Sequence, residues 1–595
     1  MSIQKTIDAP PLRARIKFLT PYGASKQLVV LLHSYRASAE TLGSVSDLVR
    51  QAFPDADQYV PELALETDAL TDPEVLAQHH CEGINKICGA HDYDSIFFVG
   101  HSIGGLLARR IYLNALNASE QGNGASHWVD KVERIILLAG MNRGWQAGHQ
   151  LSLWNLIRWR IGAVLAVLHG LTNKSPLLIM SVRRGAPFIT RLRVDWIDAS
   201  HAAKRAGRTF PKVVQLLGSI DDMVAPSDNI DLVSGSDFYY LDVPYSGHAN
   251  VVELDAREKV RTVEGAMVEV GALRRAVLTR ALAAELRELK DASYIPSDEP
   301  VPEANEAITD VVFVIHGIRD VGHWTQKIAR AILSKHKTAH GAILLEPETP
   351  SYGFFPMLPF LMPWKRRQKV EWFMDQFAQA KAKFPNAKFS YVGHSHGTYL
   401  LARALQDYEF VKFKNVLFAG SVVRSGFPWK TLIDDGRIEN VFNYVATSDW
   451  VVAIFPKAIE LTNLQDLGSA GHDGFKALKS EQYLGYAPTQ SSGERLEQTF
   501  IRGSHSAALV EENWDAIAEF VVNGTPPDIP ESIRASTQAN WLAITAGFAP
   551  LVWIVIAAFL VLIGSGIWRL SESDIVSTIL IGIYGLLLWK VVTRL

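Results

Sequence analysis

Two short stretches of this chain place a serine between closely spaced glycines directly after an apolar run. Phe97-Phe98-Val99 leads into Gly100-His101-Ser102-Ile103-Gly104, and Ser390-Tyr391-Val392 leads into Gly393-His394-Ser395-His396-Gly397. Each is followed by a stretch of helical character, at 106–110 and 399–405. A serine on a tight strand-to-helix turn lifts its hydroxyl above a sheet, where it can attack an acyl carbonyl once a base takes its proton. Glycine is common enough that one such pentapeptide is a frequent accident, but two in the same local context are not. Ser102 and Ser395 are therefore the candidate nucleophiles.

A serine nucleophile needs a base, a carboxylate to orient that base, and backbone donors for the oxyanion. Downstream of Ser102, an apolar run at 213–217 ends in Gly218-Ser219-Ile220-Asp221-Asp222-Met223-Val224-Ala225-Pro226, and Tyr245-Ser246-Gly247-His248 comes later. Downstream of Ser395, the run at 441–445 reaches Ser448-Asp449-Trp450-Val451-Val452, and two histidines follow, His472 after Gly471 and His505 in Gly503-Ser504-His505. In motif and in order, both halves resemble the α/β-hydrolase superfamily, whose acid and base follow the serine on loops after later strands.

That resemblance, which covers most of residues 12–527, implies one set of Ser102, Asp221 and His248, with Asp222 in reserve, and a second of Ser395, Asp449 and His505. His505 is preferred to His472 because 498–501 reads as a final strand before it and a closing helix begins just after it. The resemblance also implies oxyanion donors from the turns His33-Ser34-Tyr35 and His316-Gly317-Ile318, namely the N–H groups of Tyr35 with Ile103 and of Ile318 with His396. Ser34 stands where the pattern has glycine, so the first of these turns departs from it. Such donors are worth roughly 2.7–4 kcal/mol each.

The elements needed to position these groups are legible as apolar runs alternating with helix-period stretches, the pattern of a parallel sheet covered on both faces. Strands are expected at 27–32, 95–99, 134–138 and 213–217, then at 311–315, 388–392, 416–418, 441–445 and 498–501. Helices are expected from 255 to about 290 and from 507 to 522. The implied fold class is α/β, with two tandem α/β-hydrolase domains and a C-terminal transmembrane hairpin. Its boundaries are 1–290 with an apolar lid insertion at about 143–200, a linker at 291–305, 306–527, a second linker at 528–540, and 541–595.

At 595 residues the chain exceeds what one core organises, and 48% hydrophobic with 20% charged residues marks a folded protein. Lys and Arg number 59 against 62 Asp and Glu, a net charge of -3, and no nucleic-acid motif is present, so a nucleic-acid partner is not expected. Cys81 and Cys88 are the two cysteines, too few for a zinc quartet or a disulfide framework. Neither a Walker lysine nor three-glycine spacing is present, and no cofactor or metal is expected. Residues 1–15 lack the apolar centre of a secretory signal.

The C-terminal region differs, since 541–568 is apolar and uncharged and 575–588 continues after a short polar break. About 20 apolar residues span a bilayer, so a membrane hairpin is expected, with Lys590 and Arg594 favouring a cytosolic terminus and hence a cytosolic body. Ser102 and Asp221 are about twice as far apart as Ser395 and Asp449, and the excess holds the apolar run 161–168. The second half instead carries Tyr352 to Trp364, aromatic and apolar, beside Lys365-Arg366-Arg367, a combination suited to anionic headgroups. The expected partners are a lipid bilayer and an amphiphilic acyl ester, with no oligomeric state implied. The competing readings are a membrane-tethered regulatory protein with vestigial sites, and an acyltransferase or thioesterase.

Overall fold

The computed structural model describes residues 25–63, 65, 72–122, 124–145, 178–220, 238–261, 265–293, 304–320, 322–477, 495–570 and 573–594. The chain divides into two compact units, Met1–Ala304 with Lys381–Pro385, and Asn305–Ala380 with Asn386–Leu595. Both are α/β.

In the first unit, β1 (Gln27–Leu32), β2 (Asp57–Tyr59), β3 (Ser95–His101), β4 (Val132–Leu138), β5 (Lys212–Gly218) and β6 (Phe238–Val243) form one sheet in the order β2-β1-β3-β4-β5-β6. All its pairings are parallel. Successive side chains of a strand point to opposite faces, and β1 shows the result. Leu28, Val30 and Leu32 enter one buried cluster, while Val29 and Leu31 enter another on the far side. A strand apolar at every position is thus one buried on both faces, each large side chain contributing roughly 1.5–3 kcal/mol. Cys81 and Cys88 are unbridged and buried on helix Pro73–Ala90.

A two-stranded ribbon, β7 (Lys259–Arg261) with β8 (Met267–Glu269), follows. The helix expected from 255 to 290 is therefore corrected. The chain turns at Gly265 with φ +87, helix Val270–Ala283 begins only after β8, and Ala284 is extended before Leu286–Ala292. The alanine- and leucine-rich composition that suggested one helix begins at residue 270.

The second unit repeats the plan with β9 (Asp310–Ile315), β10 (Leu345–Glu348), β11 (Lys388–His394), β12 (Phe413–Ala419), β13 (Ile438–Ala446), β14 (Leu496–Ile501) and β15 (Arg534–Ala535), in the order β10-β9-β11-β12-β13-β14-β15. Only the edge pairing β14 with β15 is antiparallel. One face is mainly aliphatic, with Val312, Val314, Val392 and Leu417. Aromatics crowd the other, where Phe313 meets Phe373 at 5.4 Å and Phe377 meets Phe389 at 4.8 Å. The closing helix is shorter than expected: Val510 is extended, the segment before it winds into a short 3-10 turn, and the α-helix is Trp514–Asn523.

In both sheets the order reverses beside the first strand, between β1 and β3 and between β9 and β11. Ligands of open α/β sheets bind outside the carboxyl ends of the strands at such a reversal. Ser102 and Ser395 follow β3 and β11 directly, so the topology delivers them there.

Beyond the second sheet, helix Asn540–Gly547 leads to Ala549–Trp568, which is 20 residues long, apolar and unburied over its most hydrophobic window. Helix Asp574–Arg594 runs back beside it, with Ser577 Oγ donating to Trp568 O at 2.8 Å and Tyr584 Oη to Leu560 O at 2.9 Å. Among the described residues, Ala549–Trp568 is the one helix long and apolar enough to cross a membrane.

Candidate active site

Both serines sit in a backbone conformation that L-residues rarely adopt, φ 55 and ψ −118 at Ser102 and φ 52 and ψ −120 at Ser395. A non-glycine residue persists there only when its surroundings hold it. The serine N–H is one such tie, bonding to Leu138 O at 2.9 Å in the first unit and to Ala419 O at 3.0 Å in the second. The flanking glycines allow the close approach. A Cβ on Gly104 would lie 2.3 Å from Leu32 O, and one on Gly397 would lie 2.6 Å from Ile315 O. The glycine spacing is therefore a packing requirement between the helix start and the first strand.

In the first unit, His248 Nε2 lies 2.8 Å from Ser102 Oγ, with both side chains buried. The turn carrying His248 is held by Arg274, which donates to Ser246 Oγ at 2.8 Å, Tyr245 O at 2.8 Å and Glu253 O at 3.0 Å. Gly218, at the end of β5, backs the same turn, since a Cβ there would fall 2.5 Å from Ser246 O. Asp221 and its neighbour Asp222 lie outside the described residues, as does 146–177 of the expected lid. Helix Pro187–Arg205, in the remainder of that insertion, buries Trp196 in the core.

In the second unit, His505 Nδ1 meets Asp449 Oδ2 at 2.8 Å. Asp449 is fully buried and its other oxygen accepts from Val452 N at 3.0 Å, capping helix Trp450–Thr462. Gly420, with φ +55, leaves the space His505 occupies, because a Cβ would lie 2.7 Å from the imidazole Cε1. No hydrogen bond joins Ser395 Oγ to His505 among the described residues. His472 lies in the one-turn helix Ala470–Asp473, and His505 is the histidine that Asp449 meets.

The sequence reading missed the histidine preceding each serine. His101 Nε2 contacts His248 O at 2.8 Å, and His394 Nε2 contacts His505 O at 3.4 Å, so each strand end pegs the loop bearing the base. The signal was available, since histidine occupies the same place in both glycine motifs. Burial first, then the nearby His505, holds the His394 imidazole down at about 3, which keeps it neutral.

Of the expected oxyanion donors, Ile103 and His396 open their helices, where an N–H has no acceptor within the helix. Tyr35 and Ile318 occupy matching turns. Nδ1 of His33 bonds Ser34 O at 2.9 Å and Nδ1 of His316 bonds Gly317 O at 2.8 Å, and the following residues Arg36 and Arg319 have φ 60 and φ 57. His33 Nε2 accepts from Leu63 N at 2.9 Å, which puts its proton on Nδ1. Gly317 is required against the serine, since a Cβ would sit 2.7 Å from Ser395 Cβ. Ser34 occupies the corresponding place in the first unit.

Among the described residues, no group of three or more His, Cys, Asp or Glu side chains is gathered as metal ligands would be. Surface depressions of about 540 Å³ beside Glu74 and Arg110, and about 160 Å³ beside Arg403 and Asp466, are lined by neither serine. At the first strand end a hydroxyl lies within proton-transfer reach of an imidazole, the arrangement of general-base activation, and at the second an imidazole is paired with a buried carboxylate.

No protein-family model and no curated protein sequence matches the chain. Solved structures similar to parts of it include a lipase-esterase related protein from Clostridium acetobutylicum ATCC 824, at 12% identity over 40% of this chain and 93% of that one, with a TM-score of 0.26. The monoacylglycerol lipase of Paleococcus ferrophilus matches at 13% identity over 40% and 90%, with a TM-score of 0.25. Carboxyl esterase 2 of the fungus Tuber melanosporum matches at 12% identity over 48% and 90%, with a TM-score of 0.29.

Proposed function

We propose that this chain is a membrane-anchored serine ester hydrolase that cleaves lipid or other amphiphilic acyl esters through a covalent acyl-enzyme. The observation that carries the reading is the 2.8 Å contact of Ser102 Oγ with His248 Nε2 on a strained strand-to-helix turn. His248 takes the hydroxyl proton as Ser102 attacks the carbonyl, and returns it to the leaving alcohol. Water, activated by the same imidazole, then releases the acid. Asp221 is the assigned orienting carboxylate, and the N–H groups of Tyr35 and Ile103 hold the developing oxyanion. In the second unit the corresponding roles go to Ser395, His505 and Asp449, with Ile318 and His396 as donors.

Anchoring is supported by helix Ala549–Trp568, whose 20 residues at about 1.5 Å each match a hydrocarbon core of about 30 Å. With Asp574–Arg594 as its return, a hairpin puts both ends on one side, and Lys590 with Arg594 favours the cytosol. A second reading, in which the second unit is vestigial and regulatory, is favoured by one observation, the missing Ser395–His505 hydrogen bond.

A fluorophosphonate probe separates these readings. Full-length protein is expected to label at both serines, Ser102→Ala and Ser395→Ala each to lose one site, and the double variant to lose both. A wild-type protein that takes no label overturns the hydrolase reading. Label at Ser102 alone favours the vestigial second unit.

A further inference from the structure

We infer that the second unit receives its substrate sideways from the bilayer, along an aromatic path running from helix Ala549–Trp568 to the residue beside Ser395, and that the substrate is a long-chain acyl ester resident in the membrane. The inference rests on the hydrolase reading above and specifies how one of its two sites is fed.

The inner end of the path is His396, next to the nucleophile and fully buried. Its ring stacks on Phe355 at 5.0 Å and meets Phe360 edge-on at 5.4 Å, with Tyr352 and Tyr399 each at 5.6 Å. Its two ring nitrogens make no hydrogen bond among the described residues. Burying an imidazole without partners is costly, and an ester or glycerol oxygen arriving beside Ser395 would supply one.

From Phe360 the rings continue to Phe455 at 6.4 Å, and from Phe455 to Trp553 at 5.3 Å. Trp553 belongs to the apolar helix, and its indole N–H donates to Ile454 O at 3.3 Å. Exposure rises steadily outward, from 0% at His396 and 3% at Phe360, through half-buried Phe455, to 39% at Trp553. An acyl chain can follow such a gradient from hydrocarbon to the ester-cleaving end without crossing water. Short helix Met357–Leu361 also lies against helix Asp574–Arg594, and Phe354 and Trp364 flank it exposed. The aromatic segment that the sequence marked for lipid contact is thus continuous with the proposed membrane anchor.

The test uses full-length Ser102→Ala protein, which isolates the second unit, reconstituted in phosphatidylcholine vesicles. Turnover of a long-chain fluorogenic ester dissolved in the bilayer is compared with turnover of p-nitrophenyl acetate. Phe455→Glu is expected to lower the long-to-short ratio by about tenfold or more, and Phe455→Leu to keep it within about twofold, as apolar-pocket discrimination predicts. An unchanged ratio in Phe455→Glu overturns the path. If Phe455→Glu does not fold, a diazirine-bearing acyl ester decides with the Ser102→Ala protein itself. Crosslinks at Phe360 or Phe455 support the path, and crosslinks confined to the outward face of helix Ala549–Trp568 overturn it. Turnover of neither ester by Ser102→Ala removes the hydrolase assignment from this unit, a failure distinct from a changed ratio.

Discussion

The two units fix their serines alike and their bases differently. Backbone angles at Ser102 and Ser395 agree within a few degrees, and each serine N–H bonds to the last residue of the neighbouring strand. Yet the first unit makes the serine–histidine contact at 2.8 Å, whereas in the second no hydrogen bond joins Ser395 Oγ to His505, whose imidazole meets Asp449 at 2.8 Å. The pegging contacts differ in the same sense, with the ring-to-carbonyl distance 2.8 Å at His101 and 3.4 Å at His394. The serine's position is a property of the sheet, and the place of the imidazole is a property of a loop, so two copies of one sheet can differ in that loop alone. Hydrogen bonds of this kind are often long before substrate binds.

The strongest challenge to this comparison is removal of the nucleophiles one at a time. Loss of a working serine lowers turnover at that site by roughly a millionfold, so Ser102→Ala and Ser395→Ala, assayed on one ester, apportion the rate between units. A Ser395→Ala protein with unaltered turnover would make the stretched geometry a permanent defect. Next comes Asp449→Asn, measured in the Ser102→Ala background, which should cut the remaining turnover by roughly ten-thousandfold if the carboxylate sets the His505 tautomer.

Gly420→Ala tests the loop. The residue corresponding to Gly420 in the first unit is Ala139, also at positive φ, 47 against 55. A methyl at position 420 would strike the His505 ring. Second-unit turnover should fall by about a hundredfold, the usual result of a misplacement near 1 Å, with a lowered melting temperature expected from the positive φ and an unchanged far-ultraviolet circular dichroism spectrum at the assay temperature as the control for folding. Arg274→Ala asks the same of the first unit. Three hydrogen bonds leave the His248 turn, and denaturant unfolding should show a loss of about 2–3 kcal/mol.

The smallest effect is a pH dependence of stability. Burial holds His33, His80, His316, His394 and His396 below the ordinary 6.5, His80 at about 4 and His394 at about 3. A depressed histidine takes up its proton in the unfolded chain first. The stability is therefore complete above about pH 6.5 and is lost progressively as pH falls toward the folded values. Burial lowers His336 likewise, so four of these six lie in the second unit, and calorimetry at about pH 5 against about pH 7.5 should lower its melting transition more than the first unit's. Equal shifts in both would argue that the difference between the units is confined to the loop.

Much of this was legible in sequence because parallel strands buried on both faces leave unbroken apolar runs, and β1, β3, β9 and β11 fall where those runs fall. The serine turns were legible for a steric reason, since only glycine permits the contacts at Gly104 and Gly397. His248, His505 and Asp449 were expected from order along the chain; His248 lies against Ser102 and His505 against Asp449, while no hydrogen bond joins His505 to Ser395 and Asp221 falls outside the described residues. What escaped were features that depend on contacts distant in sequence. The short strands β2, β10 and β15 carry too few residues to show a period. The Arg274 clamp joins a helix to a turn 28 residues earlier. The break of the 255–290 stretch into a ribbon and two helices turns on Gly265 and on the extended Ala284, which composition does not register.

Helix Trp450–Thr462 serves two ends at once: Asp449 caps its start, while Ala453 on its flank is buried against Leu542 and Ala546 of the segment leading to the apolar helix. Trimming the protein before residue 540 to make it soluble would therefore strip the buttress from the element that aims the orienting carboxylate. A fragment of the second unit cut there would differ from the parent around Asp449, so the whole chain, in detergent or nanodiscs as the proposed anchor requires, is the proper material for measuring what Ser395 can do.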